Sequence, residues 1–418
     1  MSISRMLDSL PGTMPTLEDI YRDLHAHPEF AYSEHRTAGI VAESLRKAGY
    51  EVTEGIGVTG VVGVLRNGDG PTVMLRADMD ALPVEEKTGL DYASTATMID
   101  ETGQAVPLMH ACGHDVHVTC LLGAAQQLAT STDLWSGTLV ALFQPAEEGR
   151  GGALRMIEDD VFGIVGNPDV VLGQHVLPYA AGTVGYRAGA MLAAADSFEA
   201  RVFGRGAHGS RPETGIDPIV MAASIVMKLQ TIVSREVAAN EQVVLTVGAL
   251  HAGTKANIIP DHADLKLSIR TYDRGVTERV EAAVRRVIEA ECISAGSPRP
   301  PEITELSRFD ATVNDPRATD RVVQALKSEL GDDQVVEIDP IMISEDVGEF
   351  GKAAGAPSVY WALGCVDPKT YAEALAEGKI EEQIPSNHSP LFAPAVQPTL
   401  TTGVTALVTA AAAWLSAD

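Results

Sequence analysis

The sequence predicts an α/β protein in two parts: a split domain with a mostly parallel sheet between helices, and an α+β domain inserted into it. Three observations carry the prediction. The chain has 418 residues, too many for one ordinary core. Strand-like and helix-like segments alternate through the first 187 residues and resume near residue 311, the rhythm of a parallel sheet with helical crossovers. Between them the order is β-α-β-β-α-β, a split ferredoxin-like unit that can bury a small core of its own. The expected boundaries are therefore 1–187 and 311–418 for the split domain and 188–310 for the insert.

Taken in order, "TLEDIYRDLHAHPEFAYSEHRTAGIVAESLRKAGY" (16–50) reads as two helices, the second with apolar residues at helical spacing. Strands follow in "YEVTE", "GVVGVLRNGDG" and "PTVMLRADMD". The Asn-Gly and Asp-Gly pairs between the last two predict a hairpin joining them. The same stretch holds "GIGVTG" (55–60), which spells the dinucleotide fingerprint G-x-G-x-x-G. That fingerprint works where it joins a strand to a helix, whose N-terminus holds the pyrophosphate. Here a β-branched run and a turn come next, so nucleotide binding is not expected. A helix beginning near Asp115 runs through "HVTCLLGAAQQLA", followed by the strand "SGTLVALFQ", the helix "GGALRMIED" and the strand "DVVLGQHV". In the insert, "DSFEARVFG", "EQVVLTVGAL", "ADLKLSIRTY" and "PPEITELSRF" are strands, with helices at "DPIVMAASIVMKLQTIV" and "VTERVEAAVRRVIEAE". "RATDRVVQALKSEL", "APSVYWALG" and the C-terminal helix resume the α/β alternation.

Composition excludes several function classes. At 45% hydrophobic and 21% charged the chain is globular, not disordered. A net charge of -26 argues against nucleic acid or an anionic membrane as the main partner, since both need basic surfaces. An anionic substrate would need local Arg or Lys near the site. Four cysteines in so long a chain do not make a disulfide framework. "MSISRMLDSLPGTMP" lacks the apolar core of a secretion signal. "TLTTGVTALVTAAAAWLSAD" reads as too weakly apolar for a membrane span and suits a buried helix. A reduced, cytoplasmic protein is expected.

Candidate chemistry gathers at strand ends and helix starts, where ligands collect in open α/β sheets. "HACGHD" sets Cys112 and His114 two apart ahead of a helix, so both can face one ion. Thiolate and imidazole suit zinc and its borderline-soft neighbours. His117 and Cys120, one turn into that helix, read as supporting or core residues. "QPAEEG" gives adjacent Glu147 and Glu148, whose side chains diverge in an extended segment: one can bind a metal while the other accepts a proton. His175 ends the run "DVVLGQ", and His388 sits in "IPSNHSP". Asp78 and Asp80, after "TVML", can orient a histidine or grip a metal. Singly, each has a bland reading as a solvated loop or a hydrogen-bonded histidine. Jointly, chance placement of all of them at strand ends of one domain is a poor account.

"HAHPE" (25–29), "RADMDALP" (76–83), "HACGHD" (110–115), "PAEEG" (145–149), "GQH" (173–175), "GRGAHGSRP" (204–212), "SED" (344–346) and "NHSP" (387–390) span nearly the whole chain. In these motifs and their order the sequence resembles the M20 metallopeptidase family. It is most similar to the amidohydrolase branch of hippurate hydrolases, N-acyl-amino-acid amidohydrolases and auxin-conjugate hydrolases. The resemblance implies two divalent metal ions per subunit (Mn, Zn, Co or Ni) held by Cys112, His114, Glu148, His175 and His388. It implies Glu147 as general base and Asp78 as a helper behind a ligand. The insert would be a lid that dimerises, giving a homodimer or a dimer of dimers, with His208 reaching the partner's active site. Asn257 in "ANIIP" and Arg270 in "SIRT" match lid positions that grip the substrate carboxylate or the developing oxyanion. Val347 stands where the family usually has Phe after "SED".

The implied reaction is hydrolysis of an N-acyl amino acid, with Glu147 carrying a proton from water to the leaving amine. His208 would stabilise the oxyanion, and Arg270 would grip the free carboxylate bidentately. Two rivals compete. A cysteine hydrolase would use Cys112 as nucleophile with a nearby histidine as base. A catalytically inactive homologue would only bind, but it has no use for a free carboxylate beside a ligand.

Overall fold

The computed structural model describes residues 3–100 and 102–415. In chain order the main elements begin with helices α1 (Leu10–Ala26) and α2 (His35–Lys47), strands β1 (Glu51–Ile56), β2 (Gly60–Asn67) and β3 (Thr72–Asp78), and helix α3 (His114–Thr130). Then come β4 (Gly137–Gln144), α4 (Gly152–Glu158), β5 (Val170–Ala180) and β6 (Val184–Tyr186). The middle of the chain forms β7 (Ala194–Phe203), α5 (Pro218–Arg235), β8 (Val243–Ala252), β9 (His262–Thr271), α6 (Arg274–Ser294) and β10 (Glu302–Phe309). It ends with α7 (Pro316–Leu330), β11 (Val335–Glu337), β12 (Ser358–Val366) and α8 (Val396–Leu415).

Eight strands form one sheet in the order β1-β2-β4-β3-β5-β12-β6-β11. Its centre, β4-β3-β5-β12, is parallel throughout. These four strands are buried over almost their whole length, so both faces are covered, and this is why they read as continuous apolar runs. The fold is mixed α/β with a large, mostly parallel sheet.

One expected pairing does not form. The predicted β2–β3 hairpin is absent, because β4 lies between the two strands, antiparallel to β2 and parallel to β3. Asn67 does not close a tight turn; its side-chain amide donates to the carbonyls of Thr132 and Trp135. Pro71 O accepts from Thr138 N at 2.9 Å, so the Asn-Gly-Asp-Gly stretch steps over the start of β4. The hairpin that does form joins β1 to β2 across "GIGVTG". That sequence therefore sits between antiparallel strands, with no helix to follow it.

The chain divides into two compact units. One comprises Met1–Gly189, Val313–Asp339 and Asp346–Asp418; the other comprises Ala190–Thr312 and Pro340–Glu345. The crossings fall at 189/190 and 312/313 where the sequence placed them at 187/188 and 310/311, and segment 340–345 belongs to the insert. Backbone pairing explains the segment: Ile341 N donates to Met191 O at 2.9 Å and Ala193 N to Ile343 O at 2.8 Å. In the second unit, β7, β8, β9 and β10 make an antiparallel sheet in the order β8-β9-β7-β10. Its core includes Phe198, Ile225, Leu229, Leu265 and Ile288. Helix α5 starts at Asp217-Pro218 and α7 at Asp315-Pro316; each Asp carboxylate accepts a first-turn N–H and each Pro supplies a preset φ.

Helix α8 is the buried helix expected at the C-terminus, but weak apolarity is not the reason. By length and composition it is apolar enough to cross a membrane, yet 78% of its most apolar window is buried inside the protein. It packs as a core helix, with Leu400, Val404, Leu407 and Val408 in the main cluster.

Candidate metal centre

The parallel strands β3 and β4 end side by side, and the chain beyond each carries acids. Asp78 is the last residue of β3, with Asp80 two beyond; Gln144 ends β4, and Glu147 and Glu148 follow in a tight turn. His175 lies on β5, two residues past the point where Gly173 pairs with Arg76 of β3. Helix α3 opens with His114 after Gly113, whose φ of 78° lets the chain turn sharply between Cys112 and the helix. His388 arrives from the far end of the sequence, its backbone N–H on Ala111 O at 2.8 Å.

These side chains make two donor triads that share one sulfur. Ligand atoms of Cys112, His114 and His175 lie within 4.8 Å of one another, and so do those of Cys112, Glu148 and His388. Cys112 Sγ is 3.5 Å from His175 Nε2, and His388 Nε2 is 3.1 Å from Glu148 Oε1.

The second nitrogen of each histidine tells which lone pairs remain. His175 Nδ1 donates to Val176 O at 2.8 Å, leaving Nε2 to face Cys112. His114 Nδ1 donates to Asp80 Oδ1 at 3.2 Å, and its buried Nε2 has no hydrogen-bond partner. A buried nitrogen without a partner, aimed at a thiol and a carboxylate, fits a metal ligand. His117 does not fit. Its Nδ1 donates to Asp78 at 2.5 Å and its Nε2 accepts from Val176 N at 2.8 Å, so both nitrogens are used. Cys120 packs in the core, its sulfur 3.9 Å from Leu400 O.

The electrostatics favour a cation here. Burial works against charging His114, yet Asp78, Asp80 and Cys112 together hold its pKa well above the ordinary value. Cys112 and Glu148 hold His388 up at about 10. Burial also opposes ionisation of Glu148, and His388 and His114 overcome it to keep the carboxyl below the ordinary range. His175, buried beside His117, stays well below the usual imidazole value and is neutral. Burial pushes the Cys112 thiol up, the opposite of what a cysteine nucleophile needs. With its pKa held so low, His175 is also a poor base for that thiol.

Glu147 is 9% exposed and lies within 4.8 Å of His114 and Glu148, counted between ligand atoms. Of the acidic pair expected to orient a histidine, Asp80 is the carboxylate behind His114. Its Oδ1 takes the ring N–H, and its Oδ2 accepts from Glu148 N at 3.0 Å. Asp78, expected there, is instead bonded to His117 and to Arg76 Nη1 at 2.6 Å, and comes only within 3.8 Å of His114 Nε2. Both acids lie in "RADMDALP", and the two-residue alternation of a strand end does not tell which of them reaches the histidine.

The insert brings two of its three candidates together. His208 pairs with Ile258 in a short antiparallel bridge, and Gly209 N donates to Asn257 O at 2.8 Å. Both side chains are exposed. Arg270 is half-buried at the far end of β9 and donates to Met342 O at 2.9 Å. Arg270 is eight steps along the strand from His262, roughly 26 Å at about 3.3 Å per residue.

Residues 74–386 match the description of peptidase family M20/M25/M40. The chain is 41% identical to a hippurate hydrolase of Campylobacter jejuni over 80% of its own length and 84% of that protein's. It is 39% identical to thermostable carboxypeptidase 1 of Saccharolobus solfataricus, covering 87% of this chain and 90% of that one. Among solved structures it resembles the Bacillus subtilis YXEP protein, a dinuclear metal-binding peptidase. The TM-score is 0.76 and the identity 27%, with 96% and 98% of the two chains covered.

Proposed function

The chain belongs to peptidase family M20/M25/M40 and is a metal-dependent hydrolase of amide bonds; on that premise we propose that its substrates are N-acyl amino acids with a free carboxylate. The two donor triads sharing Cys112, with Glu147 beside them and outside both, carry this reading. One divalent ion would be held by Cys112, His114 and His175, and a second by Cys112, Glu148 and His388. Manganese, zinc, cobalt and nickel are the candidates. When bound, such ions supply Lewis acidity and lower the pKa of water.

The residues then divide the work. Glu147 accepts a proton from the attacking water and delivers it to the amine nitrogen as the amide C–N bond breaks. The acyl half leaves as a carboxylate and the other half as an amino acid. Asp80 keeps the His114 ring turned toward the site through its Nδ1 proton. Arg270 grips the free carboxylate. Asn257 and His208 sit at the opposite end of β9 from Arg270, so we assign them to the neighbouring subunit's site in a homodimer. The names of the two relatives support the substrate class. A hippurate hydrolase and a carboxypeptidase both cleave an amide whose amine half is an amino acid with a free carboxylate.

Replacing the base tests the reading. Glu147→Ala should keep two metal ions per chain by mass spectrometry and lose roughly 10²–10⁴-fold in kcat. The substrates would be N-benzoyl, N-acetyl and indole-acyl amino acids, with dipeptides alongside. Wild-type rates from Glu147→Ala on every substrate the parent cleaves would refute the mechanism.

A further inference from the structure

The turn carrying Glu147 is held in place by buried carboxylates from three separate parts of the first unit. Asp80 accepts from Glu148 N at 3.0 Å, and Asp346 Oδ2 accepts from Ala153 N at 3.0 Å. The third is Glu34, fully buried at the start of α2. Its Oε1 accepts from Ala146 N at 2.9 Å, and its Oε2 accepts from the Thr59 hydroxyl at 2.5 Å.

Ala146 is the residue before Glu147, and its φ of 53° and ψ of 41° put it in the left-handed region. A residue with a Cβ costs on the order of 1 kcal/mol there and keeps that conformation only when its surroundings impose it. The Ala146 N–H is buried, so without Glu34 it would lack a partner as well. Rotating the 145–146 peptide relieves both penalties, and that rotation swings Glu147.

Thr59 gives the "GIGVTG" hairpin a purpose. Gly60 lies so near the turn that a Cβ on it would come 3.1 Å from Pro145 Cδ and 2.9 Å from Met156 Cε. Gly57 N donates to Asp159 Oδ2 at 2.9 Å, which ties the hairpin to the residue that follows α4. The glycines let this hairpin sit against the Glu147 turn, and Thr59 bonds Glu34 from its tip.

We propose that Glu34 is a positioning residue for Glu147: by holding Ala146 N–H it fixes the left-handed turn that aims the catalytic carboxylate, with the 55–60 hairpin as its brace. The inference rests on the reading of Glu147 as general base.

The test is a double-mutant cycle on manganese-loaded enzyme with hippurate. Glu34→Ala should lower kcat by about 10–100-fold, since a displacement near 1 Å can cost 10²-fold, with KM and metal content unchanged. Glu34→Gln should restore kcat to within about threefold, because its amide oxygen still accepts from Ala146 and its NH₂ can donate to Thr59. On a Glu147→Gln background, Glu34→Ala should cost less than about twofold, since a misplaced group that no longer works has nothing to lose. An equal loss from Glu34→Ala on both backgrounds overturns the positioning role and leaves the base assignment standing. Full activity in Glu147→Gln alone overturns the base assignment. Thr59→Val keeps the side-chain shape and removes only the hydroxyl, so it covers the case in which Glu34→Ala fails to fold. A kcat loss at constant metal content and melting midpoint supports the brace, and an unchanged kcat overturns it.

Discussion

Glu34 also titrates in an unusual direction for a hydrogen-bonded carboxylate. Burial raises its pKa from 4.5 to about 7, with Asp80 adding to the rise and the Thr59 and Ala146 hydrogen bonds opposing it. Below about pH 4.5 the acid is neutral in both folded and unfolded chains and contributes no difference. Between 4.5 and 7 the unfolded chain ionises while the folded one resists, so stability falls across that window and levels off above it. The full penalty is on the order of 3 kcal/mol. Glu34→Gln is neutral at every pH and escapes it. Its melting midpoint should therefore exceed the parent's only slightly near pH 5 and by the full margin at pH 8, both measured in the same metal-supplemented buffer. A difference that stays flat across that range would mean Glu34 ionises normally in the folded protein. Cys112 and His114 were legible in the sequence because they are two residues apart before a helix. Glu34 was not, since it holds the turn through a backbone N–H that no residue type announces, and its other partner, Thr59, is 25 residues away. His175 and His388 come to Cys112 from 63 and 276 residues away, and only the family motifs linked them; spacing did not.

Helices α3 and α8 meet through glycines. A Cβ on Gly403 of α8 would come 2.5 Å from Cys120 Sγ, 2.8 Å from Leu363 Cδ2 and 2.9 Å from Gln174 Nε2. On Gly123 of α3 it would come 2.6 Å from Val404 Cγ2 and 2.8 Å from Leu17 Cδ1. Helix propensity alone makes Gly→Ala stabilising by about 1 kcal/mol, but overpacking a filled core costs about 1–3 kcal/mol. Three close contacts at Gly403 decide for the clash. Gly403→Ala should lower the melting midpoint, and a midpoint equal to or above the parent's would show slack in this interface. The elements themselves were readable from periodicity, since long apolar or amphipathic runs specify a strand or helix locally. Their pairing was less so. The Asn-Gly-Asp-Gly signal is local, whereas β4 enters between β2 and β3 from some 60 residues further on, and turn chemistry carries no trace of that insertion. The burial of α8 was legible but not from weak apolarity, because apolar content cannot tell a lipid-facing helix from one surrounded by its own protein.

Each unit of the chain has its own hydrophobic core, and the proposed ligands Cys112, His114, Glu148, His175 and His388 all belong to the first. A ligand that binds only the folded state stabilises what it binds by RT ln(1 + [L]/Kd), about 4 kcal/mol at a thousandfold excess over Kd. Metal should therefore stabilise the first unit directly and leave the second to its own packing. The tryptophans make the two separable. Trp135, Trp361 and Trp414 are the chain's three, and all lie in the first unit. Tryptophan fluorescence thus follows that unit alone, while far-ultraviolet circular dichroism follows both. Adding a chelator should lower the fluorescence midpoint by on the order of 10 °C and leave behind a dichroism transition, from the antiparallel sheet and helices α5 and α6, that does not move. Removal of metal with no change in the fluorescence midpoint would mean that the five side chains hold their places without a cation. Equal shifts in both signals would mean that the insert depends on the metal-binding unit for its stability.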